Sequence, residues 1–265
     1  MLSPRLIPFL LIRGKGLVKT IRFSDDKYVG DPLNAVRIFN EKKVDEIVVL
    51  DIDASSKGEK PNYELIEKLA AECRMPLCYG GGIKNTDDAC RILSLGVEKV
   101  SISSEAINNP SIVKELSNKV GSQSVVVTLD VKKKLFGGYE AYIHNGRVRT
   151  KKNPMDLVKI FQDKGAGEIV INSIDNDGVL EGYDLKLIRD IKNNTTIPTT
   201  VVGGCGSLED VKSLYLQEGI IGSGAGSLFV FKGKYRAVLI TYPKESEKIA
   251  LFDNIDMEQI MKGLA

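Results

Sequence analysis

Two glycine-rich stretches carry the residues that are best suited to hold a phosphate group. Residues 76–83 and 198–206 each run from a proline through apolar residues to consecutive glycines, and the two prolines are 122 residues apart. Glycine permits positive φ and lets a ligand lie against backbone N–H groups. A single such stretch would indicate only a tight turn, but two in register, each followed by serine, favour phosphate binding. We name the first cradle (Gly81, Gly82, Ser103 and Ser104) and the second cradle (Gly203, Gly204, Gly226 and Ser227).

One carboxylate, Asp130, ends the strongest β-type run of the sequence, residues 124–130. Alternation along this run directs the Asp130 side chain to the same side as Thr128, toward the interior of the fold. A carboxylate beside a phosphate site is suited to general acid/base catalysis, although Asp130 could instead serve as a structural cap. Alignment of residues 128–132 with residues 9–13 of the first half places Leu11 at the matching position. If the ancestral protein used a pair of carboxylates, one of them is absent here.

Four charged residues stand at or just before the beginnings of strand-like runs, away from the cradles. They are Arg5, Glu46, Lys99 and Glu168, and we name them the gate ring. Charges of alternating sign can form a solvated ring of salt bridges, each of which contributes little to stability. From the residues alone, this structural interpretation and a functional one stay equally open.

The elements that must position these residues alternate regularly along the chain. Short β-branched runs alternate with helix-like segments, several of which open with proline, as at Pro32, Pro110 and Pro154. The strand-like runs lie at residues 5–12, 46–52, 76–80, 99–103, 124–130, 168–172, 198–202 and 219–223. Eight such units in about 250 residues predict a (β/α)8 TIM barrel, an α/β fold whose chemistry lies at the C-terminal ends of the strands.

The barrel is predicted to contain two related halves and two decorations. Residues 46–53 and 168–175 repeat at the same 122-residue offset as the glycine stretches, so we place the barrel at 1–231 with half-barrels at about 1–120 and 121–231. Residues 132–150 contain Asn145-Gly146 between alternating runs, which predicts a hairpin insertion after the fifth strand. Residues 17–30 are expected to be a polar loop. Residues 232–265 are expected to form a C-terminal extension packed on the barrel.

Composition restricts the possible functions. The chain has 265 residues, 43% of them hydrophobic, and a net charge of +2 with acidic and basic residues interspersed, so no nucleic-acid surface is expected. No apolar run approaches the roughly 18 residues of a membrane span. The N-terminus lacks a small-residue cleavage site, and the four cysteines lack metal-binding spacing, so we expect a cytoplasmic protein with reduced thiols and no metal or cofactor.

These motifs together resemble a known family. Residues 1–231 resemble the cyclase subunit of imidazole glycerol phosphate synthase (HisF), which is a TIM barrel. The matching segments are residues 17–19, 30–32, 49–52, 80–83, 99–102, 121–123, 173–178 and 182–184.

The resemblance implies roles for particular residues at both ends of the barrel. That family binds a ribulosyl substrate with two phosphates across the barrel mouth, which assigns Lys19, Asp51, Asp177 and the two cradles to substrate binding. It receives ammonia from a HisH-like glutaminase subunit at the opposite, N-terminal face. The gate ring would then be the ammonia entrance, and Gln123 would lie on the docking face.

The sequence departs from the family at the catalytic position. The family's chemistry resembles acid/base catalysis by two aspartates, at the positions of Leu11 and Asp130 here. Leucine transfers no proton, so a cyclase that relies on both groups is expected to lose about 10²–10⁴-fold in rate.

A second departure follows the eighth strand, where residues 226–243 form an extended apolar run. This run resembles divergent HisF-like proteins that are encoded with surface-polysaccharide genes. Those proteins are thought to act with a glutaminase and an ATP-dependent N-acetyl-sugar amidotransferase, which converts an acetamido group into an acetamidino group. Residues 232–242 are then either a docking strand for a partner or an ordinary strand packed on the barrel.

Three functions therefore stay open at this point. The first is an ammonia-relaying subunit of a sugar-amidating complex, which we rank highest. The second is a cyclase of histidine biosynthesis with an altered first strand, and the third is a freestanding phosphosugar isomerase. A glutaminase is disfavoured, because Cys205 lies in a repeat-related turn and the single histidine, His144, lies in the predicted hairpin.

Overall fold

The computed structural model describes residues 4–219 and 222–252, and eight parallel strands form a closed barrel at its centre. The barrel strands are β1 (Arg5–Arg13), β2 (Ile47–Asp51), β3 (Leu77–Gly80), β4 (Lys99–Ile102), β5 (Val125–Lys133), β6 (Glu168–Ser173), β7 (Thr199–Val202) and β8 (Gly222–Ala225). The sheet closes where β8 pairs with β1, with Arg5 opposite Gly222 and Ile7 opposite Gly224. The predicted (β/α)8 barrel is confirmed.

Strand β8 lies later in the chain than the predicted strand at residues 219–223. It spans Gly222–Ala225, and residues 220–221 lie outside the described ranges. Glycines fill this strand because its neighbours leave no room: a Cβ on Gly222 would lie 1.9 Å from Thr200 Oγ1, and one on Gly224 would lie 2.5 Å from the Phe9 ring. A strand without β-branched residues gives a weak sequence signal, which explains the shift.

Helices cover the outside of the barrel. The described helices of eight or more residues are α1 (Pro32–Glu41), α2 (Tyr63–Glu72), α3 (Thr86–Ser94), α4 (Ser111–Val120), α5 (Pro154–Asp163), α6 (Leu185–Lys192), α7 (Leu208–Glu218) and α8 (Glu245–Phe252). None of the helices in the described ranges has the length and apolar character needed to cross a membrane.

The internal repeat is visible in the residues that cap the helices. Three pairs of capping residues, each pair 122 residues apart, begin corresponding helices: Asp31 and Asn153, Asn62 and Asp184, Asn85 and Ser207. In each case the side chain accepts a hydrogen bond from a backbone N–H of the first helical turn, which satisfies a donor that has no partner within the helix. The two halves therefore start their helices in the same way, as the predicted repeat requires.

The barrel interior is mostly apolar between its two ends. Its buried side chains are Ile7, Phe9, Val48, Cys78, Val126, Val170 and Val202. Ser101 and Thr128 add a polar contact to this interior, with their hydroxyl oxygens 2.7 Å apart. The larger apolar core lies outside the barrel wall, between the strands and the helices.

The segment after β1 is not the predicted polar loop. Gly16–Ile21 pairs antiparallel with β1, and Ser24–Gly30 pairs antiparallel with Gly16–Ile21. The loop prediction was wrong because most of Ser24–Gly30 is exposed and polar, so no alternation of apolar residues marked it as a strand. This hairpin places Lys19 and Thr20, both buried, at the C-terminal end of the barrel.

The insertion after β5 is the predicted hairpin. Tyr139–Ile143 pairs antiparallel with β5, and Val148–Arg149 pairs with Tyr139–Ile143. Its turn contains His144, Asn145 and Gly146, all at positive φ, of 53°, 58° and 70°. Asn-Gly suits this left-handed geometry, which explains why the sequence signal was reliable.

The chain beyond β8 runs from one end of the barrel to the other. Phe231–Lys232 and Ala237–Val238 form a short antiparallel pair at the C-terminal end. At the N-terminal end, the Tyr242 hydroxyl donates to the carbonyl of Leu6 at 2.9 Å. The Phe252 ring packs edge-on against Tyr215, with centroids 4.9 Å apart. Residues 253–265 of the expected extension lie outside the described residues.

Candidate functional site

A cavity opens at the C-terminal end of the barrel, and residues at the ends of all eight strands line it. We name this cavity the mouth. Twelve of the residues singled out in the sequence line it: Leu11, Lys19, Asp51, Gly81, Ser103, Ser104, Asp130, Asp177, Gly203, Gly204, Gly226 and Ser227. Convergence of residues from both halves of the chain at one cavity is what the barrel topology requires of a ligand site.

Gly82 is the member of the first cradle that does not line the mouth. Its N–H donates to the hydroxyl of Ser55 at 3.1 Å, and its φ is 73°. A Cβ there would lie 3.0 Å from the carbonyl oxygen of Glu59. Gly82 therefore serves the turn. At Gly81 a Cβ would lie 2.3 Å from the Asp51 carbonyl oxygen, so that position also requires glycine.

Asp130 is the central titratable group of the mouth. Burial raises the pKa of its carboxyl to about 7; the nearby negative charge of Asp177 acts in the same direction, and a hydrogen bond from Asn172 opposes them. That hydrogen bond runs from Asn172 Nδ2 to Asp130 Oδ1 at 3.1 Å. A carboxyl with a pKa near neutrality can both take up and release a proton, as general acid/base catalysis needs.

No second carboxylate of this kind faces Asp130 from β1. Leu11 occupies that part of the wall and pairs with Leu50 of β2 in the sheet register. Asp51 also lines the mouth, but its Oδ1 accepts hydrogen bonds from the backbone N–H groups of Asp53 and Ala54, both at 3.1 Å. Asp130 is therefore not matched by a carboxylate on β1, as Leu11 in the sequence predicts.

The second cradle lies beside a buried cation. Lys19 is 6% exposed, and its ammonium donates to the carbonyl of Phe9. A Cβ on Gly226 would lie 2.4 Å from Lys19 Nζ, so the absence of a side chain at Gly226 is what admits the ammonium. Burial lowers the pKa of Lys19 to about 8, and the charge of Asp177 opposes this shift. Asp177 in turn accepts a hydrogen bond from Thr20 Oγ1 at 2.8 Å.

The first cradle is contacted by the turn of the hairpin after β5, whereas the second cradle is contacted by the cation Lys19. The backbone N–H of His144 donates to Ser104 Oγ at 3.2 Å, and the Asn145 side chain donates to the Ile52 carbonyl. The Ser103 hydroxyl oxygen and His144 Nδ1 are buried and have no hydrogen-bond partner in the described part of the chain. A buried polar group without a hydrogen-bond partner costs free energy, so binding of a ligand that pairs with these two groups would be favoured.

Asn172 and Glu105 are lining residues with polar groups that the sequence patterns did not identify. Asn172 donates a hydrogen bond to Asp130, and alternation along β6 from Glu168 through Val170 would have identified it. Glu105 also lines the mouth, beside Ser104, and no strand pattern pointed to it.

The gate ring is assembled at the opposite end of the barrel. Arg5 contacts Glu46 at 2.6 Å and Glu168 at 2.8 Å, and Lys99 contacts the same two carboxylates at 2.8 and 3.0 Å. Burial alone would raise the pKa of Glu168, but attraction to Arg5 and Lys99 outweighs it and lowers the pKa. Each acid therefore touches both bases, and the ring carries no net charge.

Gln123 lies at this same end, just before β5. It is exposed, and its Nε2 donates to the carbonyl of Val120 at 3.4 Å. Gln123 is thus accessible to a partner that covers the gate ring.

Fold and site together define a (β/α)8-barrel protein with an open mouth at one end and a closed ring of charges at the other. The sequence matches the protein family described as "Histidine biosynthesis protein" over residues 5–236, and the chain belongs to that family. The resemblance to HisF found in the sequence is confirmed by individual relatives.

One relative from Leptospira borgpetersenii is 58% identical over 95% of this chain and 100% of its own length. A hisF3 protein of Vibrio vulnificus is 57% identical over 94% of this chain and 96% of its own. Both are provisionally named as subunits of imidazole glycerol phosphate synthase. A protein of Alkaliphilus metalliredigens, named imidazole glycerol phosphate synthase subunit HisF without that reservation, is 37% identical over 93% of this chain and 96% of its own.

Proposed function

We propose that this chain is the HisF-like synthase subunit of a glutamine amidotransferase complex and that it passes ammonia through its barrel for the amidation of an N-acetyl sugar in surface-polysaccharide biosynthesis. The observation that carries the proposal is the combination of an intact gate ring with Leu11 at an acid/base position of the mouth. The chain keeps the groups for delivering ammonia and lacks one of the groups for cyclisation.

The interior supports passage of neutral ammonia. Between the gate ring and Asp130 the barrel is lined chiefly by apolar side chains, with Cys78, Ser101 and Thr128 as weakly polar exceptions. Moving an ammonium ion through such an interior carries a large desolvation penalty, whereas uncharged ammonia avoids it. Lys99 has a flexible four-carbon stem, and its departure from the ring would open the entrance.

The partners follow from the two ends. A HisH-like glutaminase is proposed to dock on the N-terminal face, over the gate ring and Gln123. An ATP-dependent sugar amidotransferase is proposed as the recipient of ammonia, and a phosphorylated small molecule as the ligand of the mouth. The names of the relatives support a partner subunit, because each is named as a subunit of imidazole glycerol phosphate synthase.

A cyclase assay tests the loss of the second carboxylate. The purified chain is given ammonium salts and the ribulosyl aminoimidazole substrate, and product is followed. We expect the wild type to turn over about 10²–10⁴-fold more slowly than Leu11→Asp, which restores a proton-transfer group opposite Asp130. Turnover by the wild type at the rate of an ordinary cyclase would refute the proposal.

A reconstitution tests the ammonia relay. With the glutaminase and the sugar amidotransferase present, conversion of acetamido to acetamidino groups should require this chain when glutamine is the nitrogen source. Gln123→Arg should weaken the glutamine-dependent reaction and leave the reaction with added ammonium salts unchanged. Equal loss in both reactions would show that Gln123 does not act through glutaminase docking.

A second candidate is the cyclase subunit of imidazole glycerol phosphate synthase itself. The observation that favours it is Asp130, whose pKa of about 7 suits proton transfer and whose neighbour Asn172 holds it in place. The cyclase assay above separates the two candidates directly.

A further inference from the structure

A second cation besides Lys19 lies near the second cradle. It is Arg236, which follows the last barrel strand. Arg236, in the turn between Phe231–Lys232 and Ala237–Val238, donates from Nη2 to Ser227 Oγ at 3.2 Å and to the carbonyl of Gly178 at 3.3 Å. Ser227 and Gly178 both line the mouth. The carboxylate near both cations is Asp177, whose own pKa is raised by burial. Two cations, Lys19 and Arg236, face one carboxylate here, so this side of the mouth carries a net positive charge.

The backbone holds Arg236 in a fixed position. Its φ is 51°, in the left-handed region that residues other than glycine rarely adopt, and its N–H donates to the carbonyl of Gly233 at 3.0 Å. The guanidinium lies over the Phe231 ring, 5.0 Å from the centroid. Residues held in such conformations occur often at ligand sites. Because Ser227 Oγ accepts from Arg236, the hydroxyl hydrogen of Ser227 is left to donate into the mouth.

The first cradle has the opposite charge. Among the described residues that line the mouth, the cations are Lys19, at the second cradle, and Arg13. Arg13 is already paired with Asp26 at 2.8 Å and Asp53 at 3.3 Å. Glu105, beside Ser103 and Ser104, forms no ion pair with any described residue. A phosphate at the first cradle would face this carboxylate with no cation to offset the repulsion.

We infer that the mouth takes a small molecule phosphorylated at one end only. The phosphate binds at the second cradle, where Lys19 contacts it and Arg236 acts as a positioning residue through Ser227. The uncharged, hydroxyl-bearing end binds at the first cradle, where the unpaired Ser103 hydroxyl and Glu105 hydrogen-bond it. This inference rests on the proposed binding of a phosphorylated ligand in the mouth, and it names the class of that ligand as a sugar monophosphate.

Two probes that differ by one phosphate test the inference. Ribulose 5-phosphate and ribulose 1,5-bisphosphate are titrated into the wild-type chain by calorimetry at pH 7. We expect the bisphosphate to bind no more tightly than the monophosphate. Binding of the bisphosphate more than tenfold tighter would overturn the inference while leaving the phosphate-binding mouth intact. Failure of both probes to bind would refute the phosphate-binding mouth and the inference with it.

Variants at each cradle separate the two halves of the inference. Glu105→Gln should raise affinity for the bisphosphate about tenfold and leave the monophosphate within about twofold, because repulsion of the second phosphate is removed. Arg236→Gln should weaken the monophosphate by about 10- to 100-fold, the range for a charge-assisted hydrogen bond. The control is Lys234→Gln, which removes one positive charge from the exposed tip of the same turn. It should change the affinity for the monophosphate by less than about twofold.

The positioning role of Arg236 has its own readout. If Arg236 acts through Ser227, the effect of Arg236→Gln should shrink in a Ser227→Ala background, and Arg236→Lys should recover part of the lost affinity in the wild-type background. Equal effects of Arg236→Gln and Lys234→Gln, or full additivity with Ser227→Ala, would overturn this role. Thermal unfolding of each variant identifies any loss of folding, and in that case Arg236→Lys supplies the comparison.

Discussion

The two ends of the barrel bury charged groups in opposite ways. At the N-terminal end, each member of the gate ring touches two groups of opposite sign within 3.0 Å, and these contacts lower the pKa of Glu168 and raise the pKa of Lys99 despite burial. At the mouth, burial prevails: the pKa of Asp130 rises to about 7 and that of Lys19 falls to about 8. One end stabilises its charges, and the other destabilises them.

This difference in charge compensation indicates which end of the barrel is suited to bind a ligand. Charges that compensate one another need no further partner, so the gate ring is complete in the free protein. Under the proposed function the ring would have to open to let ammonia enter. Charges that stay uncompensated favour any ligand that restores the balance, which is why perturbed pKa values concentrate at functional sites. The mouth is therefore preorganised for binding, and the gate ring for closure.

Removing one charge from the gate ring should have the largest effect. Lys99→Met leaves Glu46 and Glu168, whose side chains are 5% and 9% exposed, sharing only Arg5. An uncompensated buried charge typically destabilises a protein by about 3–5 kcal/mol. We expect a loss of this size in the free energy of unfolding, measured by urea denaturation at pH 7.

The matched control is an exposed ion pair. Lys119 contacts Asp87 at 2.9 Å, but these side chains are 48% and 90% exposed. Lys119→Met should change the free energy of unfolding by less than about 1 kcal/mol. A loss below about 1 kcal/mol for Lys99→Met would mean that the gate ring is as weakly coupled as a surface pair.

At the mouth, removing a charge should stabilise the protein. The folded pKa of Asp130, about 7, lies above the ordinary value of 3.8, so the folded state binds the proton more tightly and stability falls as pH rises through this interval. Asp130→Asn removes that dependence and keeps an acceptor for Asn172. We expect the variant to be about 4 kcal/mol more stable than the wild type at pH 8 and nearly equal to it at pH 4, by urea denaturation.

Asp87→Asn provides the comparison for this pH dependence. Its carboxylate is 90% exposed, so the same substitution there should leave the difference between pH 4 and pH 8 unchanged. If Asp130→Asn were less stable than the wild type at pH 8, the carboxylate of Asp130 would be compensated in the folded state, and the contrast between the two ends would fail.

Residues placed by regular backbone patterns could be predicted from the sequence. Groups set by strand alternation, such as Asp130, and by repetition, such as Gly81 and Gly203, were found because backbone periodicity dictates where they point. The capping pair Asp31 and Asn153 likewise follows from local hydrogen bonding. The barrel and most of the mouth were therefore predictable.

Contacts made by irregular segments were not predictable in this way. Arg236 reaches the second cradle only because a turn at positive φ directs it there, and Glu105 enters the mouth from a short helix. The hairpin strand Ser24–Gly30 is polar and exposed, so it carries no periodic signal. Closure of the gate ring, too, depends on strand register, since its members were recognised but their pairing was not.

Phosphate binding should report the titration of Lys19, with a smaller effect than the two stability changes. Ribulose 5-phosphate is a phosphate monoester with a second pKa of about 6, so it is almost fully dianionic above pH 7.5 and a further change in affinity reflects the protein. The pKa of Lys19 is about 8, and its cation is lost above that value. We expect the affinity to fall about tenfold between pH 7.5 and pH 9.5, measured by calorimetry.

Lys19→Met tests whether Lys19 causes that fall. The variant should bind ribulose 5-phosphate weakly at both pH values, with no dependence between them, because it has no ammonium at position 19 to titrate. The same fall in Lys19→Met as in the wild type would assign the titration to another group. If the affinity of the wild type did not change between pH 7.5 and pH 9.5, the buried ammonium of Lys19 would stay charged over this range. Its charge would then be compensated as fully as the charges of the gate ring.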